Sequence, residues 1–194
     1  MLLNESVAYK SYEIIGGEKF MAPMPKLNHS GIIMRLAARI FNYVDTNKCG
    51  YVFTDNVDVH FPDGNLFNPD LVIVTEQNKK IMNWKGAIHG VPDMVVEVLS
   101  KSTRRKDLTI KKDIYESNGV KEYWIIDPSM KVVDVYILRD GKFEFDDEYF
   151  KYSEDELETL TDEEKAAEKT EIKVGIFDDL IINVEDIFSW GYDS

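Results

Sequence analysis

The stretch VPDMVVEVLSKSTRRKDLTIKKDIY, residues 91–115, decides how the rest of the chain is read. It passes from a short apolar run into a segment crowded with charge. Val95, Val96, Val98 and Leu99 form a run too short for a helix, so the first part is expected to be a strand with apolar contacts on both faces. One acid, Glu97, interrupts it. The second part reads as a helix from about 104 to 117, ended by Asn118-Gly119. Stepping ~100° per residue from Leu108, the apolar arc takes in Ile110, Ile114 and Tyr115, and Lys111 at about 300° and Asp107 at about 260° fall inside it. Lys106, Thr109, Lys112, Asp113 and Glu116 take the opposite side. An inward ammonium needs a counter-charge. Either Lys111 meets acids from the sheet, or it snorkels to the surface or pairs only with Asp107 one turn away.

Pro-Asp occurs three times, at Pro62-Asp63, Pro69-Asp70 and Pro92-Asp93. The first runs into Gly64-Asn65 and reads as a turn. The other two open strands, DLVIVT and DMVVEVLS. Asp93 shares a strand face with Glu97 but stands four residues away, ~13 Å at the strand rise, too far for one shared ion. If the two strands pair, Asp70 lies beside Glu97 at ~5 Å. Two unpaired carboxylates in an apolar sheet repel each other and are costly to desolvate, so one takes a proton or both take a cation. Mg²⁺ suits the second outcome, because it accepts one or two carboxylates with water and phosphate oxygens. The bland alternative for Glu97 is a solvent-facing or arginine-paired strand residue.

Outward from this centre, SYEIIGGEKFMAP (11–23) reads as an N-terminal β-hairpin turning at Gly16-Gly17. GIIMRLAARIFNYV carries apolar residues at helical spacing, with Ser30 as a candidate cap. YVFTDNVDVHF, EYWIID and KVVDVYIL read as strands, the last antiparallel to its neighbour, with Trp124 in the core. IFDDLIINVEDIF carries strand and helix character and packs back onto the domain. The expected fold is α/β, a mixed β-sheet flanked by helices, in one domain over 1–194.

The 194 residues carry a net charge of −13, at first sight adverse to a nucleic-acid partner. The charge is uneven. Residues 146–171 hold 12 acids against 3 lysines, a net of −9, and are expected to form an acidic insertion, either a solvated helix or a mobile segment. KSTRRKDLTIKK, by contrast, has six basic residues and one acid, and local charge sets the local potential. The one cysteine, Cys49, suits packing and a reducing compartment. With no membrane-length apolar run and no signal-like start, a cytoplasmic location is expected. His60 and His89 have no ligand-like spacing.

An aspartate at one strand, a glutamate at the next and a nearby lysine resemble the PD-(D/E)XK nuclease superfamily. More narrowly, YEIIGGEKFMAPMPKLNHSGII, NPDLVIV, the run from Val91 to Pro128 and VDVYIL resemble the Uma-type putative restriction endonuclease family. That resemblance implies a restriction-endonuclease-like core and Mg²⁺-dependent hydrolysis of DNA phosphodiester bonds, with Mn²⁺ as substitute. Carried over, Asp70, Glu97 and Lys111 are the catalytic set, and Asp70, Glu97 and the Val98 carbonyl hold the metal. The pattern departs at Leu99, where the superfamily places a strand lysine; the family supplies it from the helix, at Lys111. Glu18, His29, Asp107 and Tyr115 are accessory candidates, and Arg104 and Arg105 candidates for gripping phosphates. Glu18 is equally a solvent-facing hairpin residue, and His29 a capping or surface one. Two strands to cut would suit a homodimer. The rival reading is a catalytically inactive binding or regulatory protein on the same fold; a third is a phosphoesterase acting on RNA or branched nucleic acid.

Overall fold

The computed structural model describes residues 12–21, 26–54, 57–167 and 169–188. Three sheets and a set of mostly short helices build a mixed α/β fold. β1 (Tyr12–Ile15) and β2 (Glu18–Met21) form the N-terminal hairpin. Its two-residue turn places Gly16 at φ 58° and Gly17 at φ 85°, the left-handed region that glycine enters without steric cost. The long helix α1 (Leu27–Asn47) follows, burying Ile32, Ile33, Leu36, Ala37, Ile40 and Val44. It begins three residues before Ser30, with Lys26 at the cap position and no side-chain cap. Ser30 instead gives its amide to the Lys26 carbonyl as part of the first turn.

The strands β3 (Gly50–Thr54), β4 (Val59–His60), β5 (Leu66–Phe67), β6 (Leu71–Thr75), β7 (Ile88–His89), β8 (Met94–Val98), β9 (Glu122–Asp127), β10 (Val132–Arg139) and β11 (Lys142–Phe150) are shared between two sheets. The central one has the order β11-β10-β9-β8-β6-β3, and the smaller one β2-β1-β5-β4-β7. β8 pairs antiparallel with β6 and parallel with β9, so the central sheet is mixed. β8 and β9 are buried along their whole length, as their apolar runs require.

Alternation along β8 sends Met94, Val96 and Val98 to one face, where they pack with α1 and Trp124. Val95 faces the other way, with Val72, Val74 and Tyr115. On that second face lie the small sheet and a helix spanning 104–118. The helix starts as α2 (Arg104–Lys106), widens into a π turn (Asp107–Lys111) and continues as α3 (Lys112–Asn118), stopped by Gly119 at φ 87°.

The acidic stretch contributes the end of β11 and two short helices, α4 (Glu154–Thr159) and α5 (Asp162–Ala167), the first with a Ser153–Glu156 capping box. β12 (Glu171–Lys173), β13 (Ile181–Asn183) and α6 (Val184–Phe188) close the described chain, adding Ile172, Ile182, Ile187 and Phe188 to the α1 side of the core. Among the described residues no helix is long and apolar enough to cross a membrane.

Candidate active site

Glu97 lies on the small-sheet side of β8 and is only 3% exposed. Its Oε1 accepts from the Lys111 ammonium at 3.0 Å and from the Tyr115 hydroxyl at 2.7 Å. Asp107, Lys111 and Tyr115 are all buried and sit four residues apart. An undistorted helix would drift away from the sheet over that span; the wider π turn keeps the three in line. The same turn explains Ile110, which the regular wheel places inward and the structure leaves 47% exposed.

Lys111 has three acidic partners. Glu13 Oε1 is 2.7 Å away, Glu97 Oε1 3.0 Å and Asp107 Oδ1 3.4 Å. That Asp107 oxygen is buried and accepts no hydrogen bond among the described residues. Glu13 was not singled out from the sequence. On β1 the residues pointing into the fold are Glu13 and Ile15, so an acid occupies a position whose strand neighbour is core. That alternation is the signal that could have found it. Glu18, for which the sequence left an accessory and a solvent-facing role equally open, is exposed.

Asp70 precedes β6, whose Leu71–Val96 pairing brings the two carboxylate-bearing positions to one end of adjacent strands. Asp70 Oδ2 accepts the Val98 amide at 2.6 Å, and Oδ1 lies 3.0 Å from His29 Nε2. His29 comes from the first turn of α1, so three separate elements meet here. Arg104 is committed elsewhere, paired with Asp127; Arg105 is exposed.

Three carboxylates around one ammonium leave the pocket negative, with Asp70 beside it. Burial pushes the Glu97 carboxyl well above the usual carboxylate range; Lys111 opposes this, while Asp107, Asp70 and Glu13 reinforce it. Asp107 is raised as well, again chiefly by burial. Burial disfavours the Lys111 charge, but Glu97, Glu13 and Asp107 outweigh it and hold the ammonium well above its ordinary value. The pocket therefore keeps its lysine charged and makes the Glu97 and Asp107 carboxyls harder to ionise than free ones.

A hard dication would relieve the same excess. Asp70 and Glu97 supply oxygen donors. The Val98 carbonyl shares the strand edge of the Val98 amide, which already faces Asp70. Among the described residues no group of three Asp, Glu, His or Cys side chains is placed to hold a metal ion. Two carboxylates and a backbone oxygen, with water completing the shell, nevertheless match what Mg²⁺ takes. The donor set fits.

Comparison with known proteins is consistent with this architecture. The profile of the Uma2 family, described as "Putative restriction endonuclease", matches residues 6–167. No curated protein matches the chain. Among solved structures, a crystal structure of a putative nuclease of the DUF820 family from Anabaena variabilis superposes with a TM-score of 0.70 at 21% identity, covering 93% of this chain and 91% of that one. At that identity the likeness speaks for the fold.

Proposed function

The chain belongs to the Uma2 family of putative restriction endonucleases, and on that premise we propose that it is a Mg²⁺-dependent endonuclease hydrolysing DNA phosphodiester bonds, with Mn²⁺ able to substitute. The observation that carries the reading is the buried excess of acid: Glu13, Glu97 and Asp107 surround Lys111, with Asp70 at the adjoining strand end. A fold held only for stability has no use for so many buried like charges.

Asp70, Glu97 and the Val98 carbonyl would hold the metal. When bound, it polarises the scissile phosphate and lowers the pKa of its water. The Tyr115 hydroxyl and the Lys111 ammonium both fix Glu97 through Oε1. His29, with its proton on Nε2, and the Val98 amide orient Asp70. Glu13 and Asp107 keep Lys111 charged and aimed, and its ammonium steadies the attacking water or the charge growing on the phosphate. Arg105 and the other exposed bases of the 101–112 run grip neighbouring phosphates. The decisive assay is cleavage of duplex DNA in Mg²⁺ by Asp70→Asn, Glu97→Gln and Lys111→Met. Each should lose at least ~10²-fold in rate; cleavage at the wild-type rate by any one of them removes it from the mechanism.

One observation favours the rival reading of a nuclease-fold binding protein. Leu99 stands where the superfamily lysine would be and is buried among apolar residues, while all three partners of Lys111 are acids within the chain. Metal binding without cleavage on any DNA or RNA substrate would select that rival.

A further inference from the structure

The two edges of the central sheet are built differently. The outer strand β11, KFEFDDEYF, carries Glu144, Asp146, Asp147 and Glu148, and its pairing with β10 is bulged at Val135–Tyr136. Charge and bulges are the usual defences of an exposed strand edge. The opposite outer strand β3, GYVFT, has no charge, no proline and no bulge against β6. Among the described residues no strand covers its free edge.

That edge lies in a groove of about 280 Å³ with apolar walls on both faces of the strand. Phe41 and Val44 of α1 form one wall; Tyr51, Phe53 and Trp84 form the other. Trp84 packs edge-on over Tyr51 and Phe53 yet remains 71% exposed, and Phe41 is 53% exposed. The charges that line the groove are paired within the chain, Asp45 with Lys48 and Glu76 with Lys79.

We infer that the occupant of this groove is a second copy of the chain, adding its own β3 antiparallel about Val52 to make one continuous sheet. Two features, one of the strand and one of the chain's charge, favour a second copy. The five residues are self-complementary: Tyr51 comes opposite the second copy's Phe53, an aromatic cross-strand pair made twice, and Gly50 comes opposite Thr54. Charge points the same way. Of the net −13, −9 resides in 146–171, which starts on the far edge strand β11. Joining copies through β3 keeps those segments as far apart as the sheet allows, and a two-fold axis produces a closed, isologous contact.

The axis stands perpendicular to the sheet, so both candidate sites lie on the same face of the joined sheet. From the strand order and register, each site lies about 12 Å across and about 10 Å along the strands from the axis, which sets the two about 30 Å apart. One duplex could then reach both, a consequence that rests on the proposed nuclease reading; the interface itself does not.

Sedimentation of the full chain at micromolar concentration should give the mass of two chains. Phe41→Glu combined with Trp84→Glu, both at exposed positions, should halve that mass while leaving the circular dichroism spectrum unchanged. In a Cys49→Ser background, Val52→Cys should cross-link to its copy on oxidation, and Thr54→Cys, displaced from the axis, should not. A wild-type mass of one chain would overturn the inference, as would a dimer indifferent to the double substitution or equal cross-linking at both cysteines. None of these readouts involves cleavage, so failure of the nuclease reading would leave them intact.

Discussion

The two ends of β8 carry buried carboxylates in opposite electrostatic states. Asp93, just before the strand and 1% exposed, is fully answered. Lys121 donates to Oδ1 at 2.6 Å, and Oδ2 accepts from the Thr75 amide and hydroxyl and from Asn78. Burial alone would raise its pKa, but these bonds bring it below the ordinary value. Glu97, four residues on, is driven well upward by burial, which Lys111 opposes and Asp107, Asp70 and Glu13 reinforce. Asp93 ties the strand to the end of β6, to the 3₁₀ helix Glu76–Ile81 that follows it and to Lys121 just before β9, a structural task completed by its own hydrogen bonds. Glu97 belongs to a cluster left with surplus charge. Burial of an acid does not mark a site; burial without balance does.

The largest expected difference comes from removing one charged partner at each end. Lys111→Met strands three buried carboxylates and should cost about 3–5 kcal/mol in urea unfolding, part of it recovered by acid or Mg²⁺. At the other end, Asp93→Ala leaves the Thr75 and Asn78 donors unanswered and should cost about 1–3 kcal/mol, with no response to metal.

The pH dependence should have opposite signs at the two ends. Because the folded Glu97 pKa is raised, the native state holds a proton that the unfolded chain releases. Stability from this group therefore falls as pH climbs from the ordinary carboxylate range toward the folded value. Asp93, with its folded pKa lowered, contributes stability above the ordinary aspartate range and loses it as pH falls through the folded value. Glu97→Gln should flatten the first slope and Asp93→Asn the second, in melting curves taken across pH. Equal slopes in wild type and variants would erase the contrast. The smallest effect is Tyr115→Phe, which removes one hydrogen bond to Glu97 and should cost about 1 kcal/mol by the same unfolding assay.

Much of this frame is legible locally. Gly16-Gly17 marks the hairpin, the spacing from Ile32 to Val44 marks α1, and two apolar runs opened by Pro-Asp mark β6 and β8, which pair antiparallel. Other features depend on what packs against them. Glu13 and Glu18 sit on one hairpin; alternation puts Glu13 on the face of Ile15, and the docking of β1 beside β5 turns that face inward. β4, β5 and β7 are two residues each, too short to leave an alternating pattern, so the small sheet that roofs the site has little local signature. The π turn is likewise invisible to a regular wheel, which misplaces Ile110 while putting Asp107 and Lys111 inward, where they are buried. The hydrogen bonds that satisfy Asp93 come from 15, 18 and 28 residues away, beyond any motif.

The central claim is that the surplus of buried acid beside Lys111 is there to take a dication, and thermal melting against Mg²⁺ or Mn²⁺ addresses it without any assumption about substrate. The wild-type melting temperature should rise by about 5–10 °C at metal a hundredfold above its dissociation constant, and Asp70→Asn and Glu97→Gln should not respond. A wild-type curve unmoved through millimolar metal would contradict the account.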